Sequence, residues 1–168
     1  MKKFVLFFVV AVMAAAMSQA VSFSWSVSNI KDGEGTKIPA GGFIAYLFNT
    51  SDYSVAAATA DAKDGKLNVG KALDSSTGTG AGKVVSDEIT TSLTGEQTMF
   101  AVIFDNPTGN SGNFIVTETA KETIPAVGSA TFGLGSQSGA TWTPVPEPTT
   151  VALLAIGLAA LGLKRKVA

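Results

Sequence analysis

The chain contains neither cysteine nor histidine, which limits its chemistry before any motif is read. Zinc sites of the usual Cys/His kind need those ligands. Ser-His-Asp and Cys-His catalysis need a histidine base. Carboxylates, amides, hydroxyls, lysines and aromatic rings remain. "GTGAGK", residues 78–83, has the glycines and the lysine of a phosphate loop. A P-loop also needs a glycine five positions before its Gly-Lys pair and Ser or Thr after it. Those positions hold Thr77 and Val84, so the segment reads as a plain loop. "DNPTGNSGN", residues 105–113, gathers oxygen donors that could face calcium. Calcium takes about six to eight oxygens, usually with several carboxylates, and this segment has one carboxylate. "DGE" at 32–34 and "DAKDG" at 61–65 do not match the spaced-Asp pattern either. Trp25, Tyr46, Tyr53 and Trp142 could form a sugar-stacking platform, although aromatics on strands more often fill a core. Paired carboxylates can hydrolyse glycosides, but no spacing singles out a pair. Asn49-Thr50-Ser51 is a glycosylation sequon by pattern alone. The expectation is a domain that is not an enzyme, with no catalytic residue, no cofactor and no metal.

The most specific pattern is a recognition peptide. Residues 145–168 read "VPEPTTVALLAIGLAALGLKRKVA". Pro146, Glu147 and Pro148 come first, then an uncharged stretch at 149–163, then Lys164, Arg165 and Lys166. Each proline bars the residue before it from helix, so the peptide around Glu147 stays extended, a shape that suits a processing enzyme's cleft. As a helix, residues 149–163 would rise about 22 Å, short against a bilayer core of about 30 Å. Snorkelling of the terminal cations makes up part of the difference. The basic cluster stops translocation and stays cytoplasmic, which leaves the rest of the chain outside.

This order of parts resembles the PEP-CTERM sorting signal of Gram-negative bacteria. The resemblance covers the last 24 residues, with Pro146-Glu147-Pro148 as the motif, an apolar helix, and Lys164-Arg165-Lys166 as the basic end. It implies an integral-membrane partner, exosortase, that recognises the motif, cuts near it and passes the protein outward. It also implies a destination at the cell surface or in the extracellular matrix, in bacteria many of which make exopolysaccharide. Three rivals fit less well, and the first, a plain tail anchor, would not need Pro-Glu-Pro. A sortase signal needs Leu-Pro-x-Thr-Gly where this chain has Val-Pro-Glu-Pro-Thr, and a GPI signal ends in apolar residues rather than cations.

The other end points the same way. Met1-Lys2-Lys3 is basic, "FVLFFVVAVMAAAM" is apolar, and Ser18 and Ala20 are small. That is the three-part pattern of a secretory signal peptide, with cleavage expected after Ala20. Ala14-Ala15-Ala16 leaves room for an earlier cut. Between the two addresses lies one expected domain, residues 21–144, long enough for a single core. It holds seven lysines, no arginine and 12 acidic residues, hence a net charge of −5. Binding to nucleic acid depends on cationic phosphate contacts, which this balance argues against. Polysaccharide is the alternative partner, bound by a carbohydrate-binding module.

The elements that would position any site read mostly as strands. "VSFSWSVSN", residues 21–29, alternates between serine and apolar residues, the mark of a half-buried strand. "GFIAYLF" and "QTMFAVIFD" are apolar on both faces and predict interior strands. The turn cluster "NPTGNSG" joins residues 97–104 to 113–119 as a hairpin. "GKVVSDEITTSL" predicts an outer strand, and "SATFGLG" and "GATWT" short late ones. The Ala-rich stretch at 51–65 predicts one helix of about 10 residues, capped by Ser51 or Asp52 and ended by Gly65. "SSTGTGAG", 75–82, reads as a flexible loop. Together these predict a mainly β, sandwich-like single domain with one short helix, or a small barrel.

Overall fold

Serine and apolar residues alternate along β1 (Val21–Ser28), and the structure buries one set. Phe23, Trp25 and Val27 are fully buried, while Ser24, Ser26 and Ser28 face partly outward. The structure is a computed structural model, and it describes residues 21–146. Its strands fall into two hydrogen-bonded sheets. In the smaller sheet β1 is central. Antiparallel β4 (Val84–Val85) and β5 (Ile89–Thr91) share one of its edges, and β9 (Ser129–Ser136) runs parallel to it on the other.

The larger sheet runs β10 (Thr143–Pro144), β7 (Asn113–Val116), β6 (Gly95–Phe104), β2 (Ile44–Asn49), β3 (Asp74–Thr77). β8 (Ala120–Ile124) continues along β6 beyond β7. The 105–112 connection makes β6 and β7 the expected hairpin. β2 and β6 are apolar on both faces because the sheet is covered twice. Ala45, Leu47, Met99, Ala101 and Ile103 join Phe23, Trp25 and Phe132 of the smaller sheet in one core. Phe48, Phe100, Val102 and Phe104 point the other way and pack with the helix side.

That cover is α1 (Val55–Lys63), the one α-helix among the described residues. Ala58 and Ala62, one turn apart, are fully buried and let the helix approach the phenylalanines closely. Its cap is Ser54, whose hydroxyl accepts the Ala57 N–H at 3.2 Å, not Ser51 or Asp52. Ser51 is already engaged. Asn49 Oδ1 accepts both its N–H and its hydroxyl at 3.0 Å in the turn leaving β2. Gly65 follows with φ +68°, the left-handed conformation that ends many helices.

Three expectations are corrected. The outer strand at 82–93 is broken into β4 and β5 by a one-residue bulge at Asp87 and Glu88, as the shift in register against β1 requires. Residues 75–82 are not a flexible loop. Their first half is β3, paired to β2, and Gly78 lies against the Phe43 ring, where any side chain would collide. "GATWT" contributes only its last residue to a strand, Thr143 in β10.

Candidate functional site

The last described residues, Thr143 to Pro146, follow a packed edge. β10 is the edge of the larger sheet, pairing Thr143 with Phe114 and Pro144 with Asn113. An edge is where a strand tolerates proline, which has no N–H to give. Val145 follows, and its N–H donates to Gly112 O at 2.8 Å. Its side chain is only 6% exposed and sits in the helix-side core. A Cβ on Gly65 would meet Val145 Cγ1 at 3.2 Å. Pro146 is exposed. Burial therefore ends at Val145, one residue beyond the expected domain limit. Glu147, Pro148, the stretch 149–163, Lys164, Arg165, Lys166 and the N-terminal segment with Ala20 lie outside the described residues. Among the described residues no helix is long and apolar enough to cross a membrane.

The four candidate aromatics do not form a platform. Trp25 is fully buried between the sheets. Its indole Nε1–H donates to Asp74 Oδ2 at 2.7 Å, which ties β1 of one sheet to β3 of the other. Tyr53 is 5% exposed beneath the helix. Its hydroxyl donates to the Asp61 carboxylate, and Lys71 Nζ lies 5.0 Å from its ring centre. Burial first, then the Asp61 hydrogen bond, pushes the Tyr53 hydroxyl up to about 12. Tyr46, half-buried, packs edge-on against Phe104 on the same side. Burial raises its pKa as well. Trp142 packs instead against the core between the sheets. Tyr46 and Trp142 thus belong to different cores.

The polar candidates are used for structure. Asp105 Oδ1 accepts the Asn113 N–H at 2.7 Å, and Oδ2 accepts Asn113 Nδ2 at 2.6 Å. Asn106 Oδ1 accepts from Thr108 N, Thr108 Oγ1 and Gly109 N at 3.0, 2.6 and 3.0 Å. These oxygens face their own turn. No group of three or more acidic side chains is placed to hold a metal ion among the described residues. Asp74, Asp87 and Glu88 line one hollow of about 370 Å³. Asp74 is committed to Trp25, and Glu88 accepts from the Ser22 hydroxyl. In the phosphate-loop look-alike, Gly82 (φ +62°) leaves no room for a side chain against the Ile30 carbonyl.

Sequence reasoning missed two buried hydroxyls that accept backbone N–H groups across the sheets. Ser86 Oγ accepts the Trp25 N–H at 2.9 Å, and Thr117 Oγ1 accepts the Ala101 N–H at 2.9 Å. A buried Ser or Thr in a β-branched run carries no signal of this role.

Comparison with known proteins returns to the tail. Residues 144–166 match the family model described as the PEP-CTERM protein-sorting motif. No curated protein matches the chain. The match begins on β10 and Val145 and continues through Pro146, Glu147 and Pro148 to the basic end. The chain therefore carries a PEP-CTERM protein-sorting motif at its C-terminal tail, which implies an exported, exosortase-sorted protein of the cell surface or exterior.

Proposed function

We propose that this is a surface or extracellular-matrix protein of a Gram-negative bacterium, whose β-sandwich domain has a structural or interaction role and no catalytic one. Before processing, the segment 149–163 spans the inner membrane, with Lys164, Arg165 and Lys166 on the cytoplasmic side. Exosortase reads Pro146-Glu147-Pro148, cuts nearby, and frees the domain to move outward. The observation that carries the reading is the junction. Pro146-Glu147-Pro148 starts where burial stops, directly after buried Val145 and with Pro146 exposed. Only residues 146–148 separate Val145 from the apolar stretch, about 10 Å when extended. The unprocessed domain is thus held against the membrane, and a cut at the motif leaves its core whole. The test is to compare the size and location of the protein in a host with exosortase and in one lacking it. The reading expects a shorter, outward form only in the first. A full-length protein in both overturns it.

A carbohydrate-binding role in an exopolysaccharide layer is the second reading. Of the four aromatics, Trp142 supports it, because it is half-buried and lines an open hollow.

A further inference from the structure

Trp142 stands beside a groove of about 460 Å³ between the turn after β1 and the turn after β9. That volume is within the roughly 300–1,000 Å³ of small-molecule sites. The indole Nε1–H donates to Lys31 O at 2.5 Å, so the polar edge of the ring is satisfied by protein and its orientation is fixed. Two acceptors in the groove wall are fixed in a similar way. Asp32 Oδ1 accepts the N–H groups of Glu34 and Thr36 at 3.0 and 2.8 Å, which holds the carboxylate and leaves Oδ2 without a partner among the described residues. Gln137 Nε2 donates to Leu134 O at 3.0 Å, which holds the amide and leaves Oε1 unpartnered in the same sense. Lys31 lines the groove too. The salt bridge among the described residues is Lys121–Glu96, so the Lys31 ammonium has no carboxylate partner there. At Gly35 and Gly139, which line the groove, nothing lies within 4 Å of where a side chain would begin, so the groove is open there.

We infer that this groove binds a pyranose unit of a neutral glycan. An indole presents an apolar surface for the C–H face of a sugar ring. Two immobilised acceptors, Asp32 Oδ2 and Gln137 Oε1, suit neighbouring hydroxyls that donate. The Lys31 ammonium donates to a hydroxyl or ring oxygen. Pre-fixed side chains lose little freedom on binding, which is the condition under which a few polar contacts yield specificity. The domain's net charge of −5 disfavours a strongly anionic polymer or a nucleotide. A second hollow of about 360 Å³ adjoins the first through Gln137, Gly139 and Ala140 and offers room for a neighbouring sugar. This deepens the carbohydrate-binding reading and is independent of the sorting reading.

The test is a tryptophan-fluorescence titration of the full chain, solubilised in a detergent without sugar, with cellohexaose, laminarihexaose, isomaltohexaose and mannohexaose. Trp25 is sealed in the core, so a saturable change reports Trp142. The inference expects saturable binding of at least one hexaose. Trp142→Ala, read by calorimetry, should weaken it about 10-fold or more, the scale of one lost aromatic contact. Asp32→Asn keeps Oδ1 for the turn but converts the free acceptor into a donor. It should weaken binding about 3- to 10-fold with an unchanged melting temperature, as loss of one hydrogen bond does. This second variant decides the matter if Trp142→Ala does not fold. Binding untouched by Asp32→Asn and Trp142→Ala overturns this site while leaving a carbohydrate role. No binding of any hexaose overturns both.

Discussion

Thr117 and Ala101 exchange two hydrogen bonds across the hairpin, one of them through a side chain. Thr117 N–H donates to Ala101 O at 2.9 Å, and Thr117 Oγ1 accepts the Ala101 N–H at 2.9 Å. The register explains why. Val102 pairs with Val116 but Met99 with Ala120, so one extra residue is accommodated beside Thr117. A bulge disrupts the ladder locally, and the threonine hydroxyl supplies the acceptor that Ala101 needs. The same device recurs in the other sheet, where Ser86 N–H donates to Trp25 O at 3.0 Å and Ser86 Oγ accepts the Trp25 N–H. Thr117→Val keeps the shape and deletes the acceptor. It should lower stability by about 1–3 kcal/mol, the cost of a buried unsatisfied donor, whereas Thr117→Ser should cost less. Urea denaturation of the three forms measures the difference.

The Trp25–Asp74 bond joins the two sheets across the core they share. Asp74→Ala strands a fully buried indole N–H and should cost about 1–3 kcal/mol. Asp74→Asn retains an acceptor and should recover part of that. Thermal melts followed by near-ultraviolet circular dichroism, which sees the Trp25 environment, distinguish the two.

Tyr53 sets an alkaline limit to stability. Its hydroxyl is about 12 in the folded protein against 10.0 for the free side chain, because burial and then Asp61 favour the neutral form. Below pH 10 both states hold the proton and the contribution is complete. Between pH 10 and about 12 the unfolded chain releases a proton that the fold retains, so stability falls with rising pH. Tyr53→Phe should flatten that slope. Absorbance titration of the phenolates, together with denaturation at pH 9 and pH 11, checks both statements.

The strands that were legible in the sequence announce themselves by pattern. β1 shows its alternation, β2 and β6 their unbroken apolar runs, and the β6–β7 turn its Asn, Pro and Gly residues. What escaped is held by partners rather than by its own composition. β3 reads "DSST", yet pairing with β2 on the edge makes it a strand. β8 reads "AKETI", mostly exposed, and follows the register of β6. The helix cap moved to Ser54 because Asn49 had claimed Ser51, a competition between neighbours that propensity does not register. At the candidate site, the motif Pro146-Glu147-Pro148 was legible as a peptide, but the burial of Val145 was not. Its partners, Gly65 and Gly112, are distant in sequence. The groove beside Trp142 was invisible for the same reason, since its walls come from residues a hundred positions apart.

Processing at the tail is the central claim. Replacing Pro146, Glu147 and Pro148 together with Ala leaves Val145, β10 and both cores in place, and leaves the apolar stretch and Lys164-Arg165-Lys166 as they are. It removes the restriction on the residues before the two prolines, so the helix proposed for 149–163 can extend outward into the motif. The measurement is a blot of parent and variant in fractionated cells of a host with exosortase, using an antibody against the folded domain. The account predicts a shortened parent that moves outward and a full-length variant retained in the inner membrane. Equal size and equal distribution of the two would contradict it and leave the tail as an anchor only.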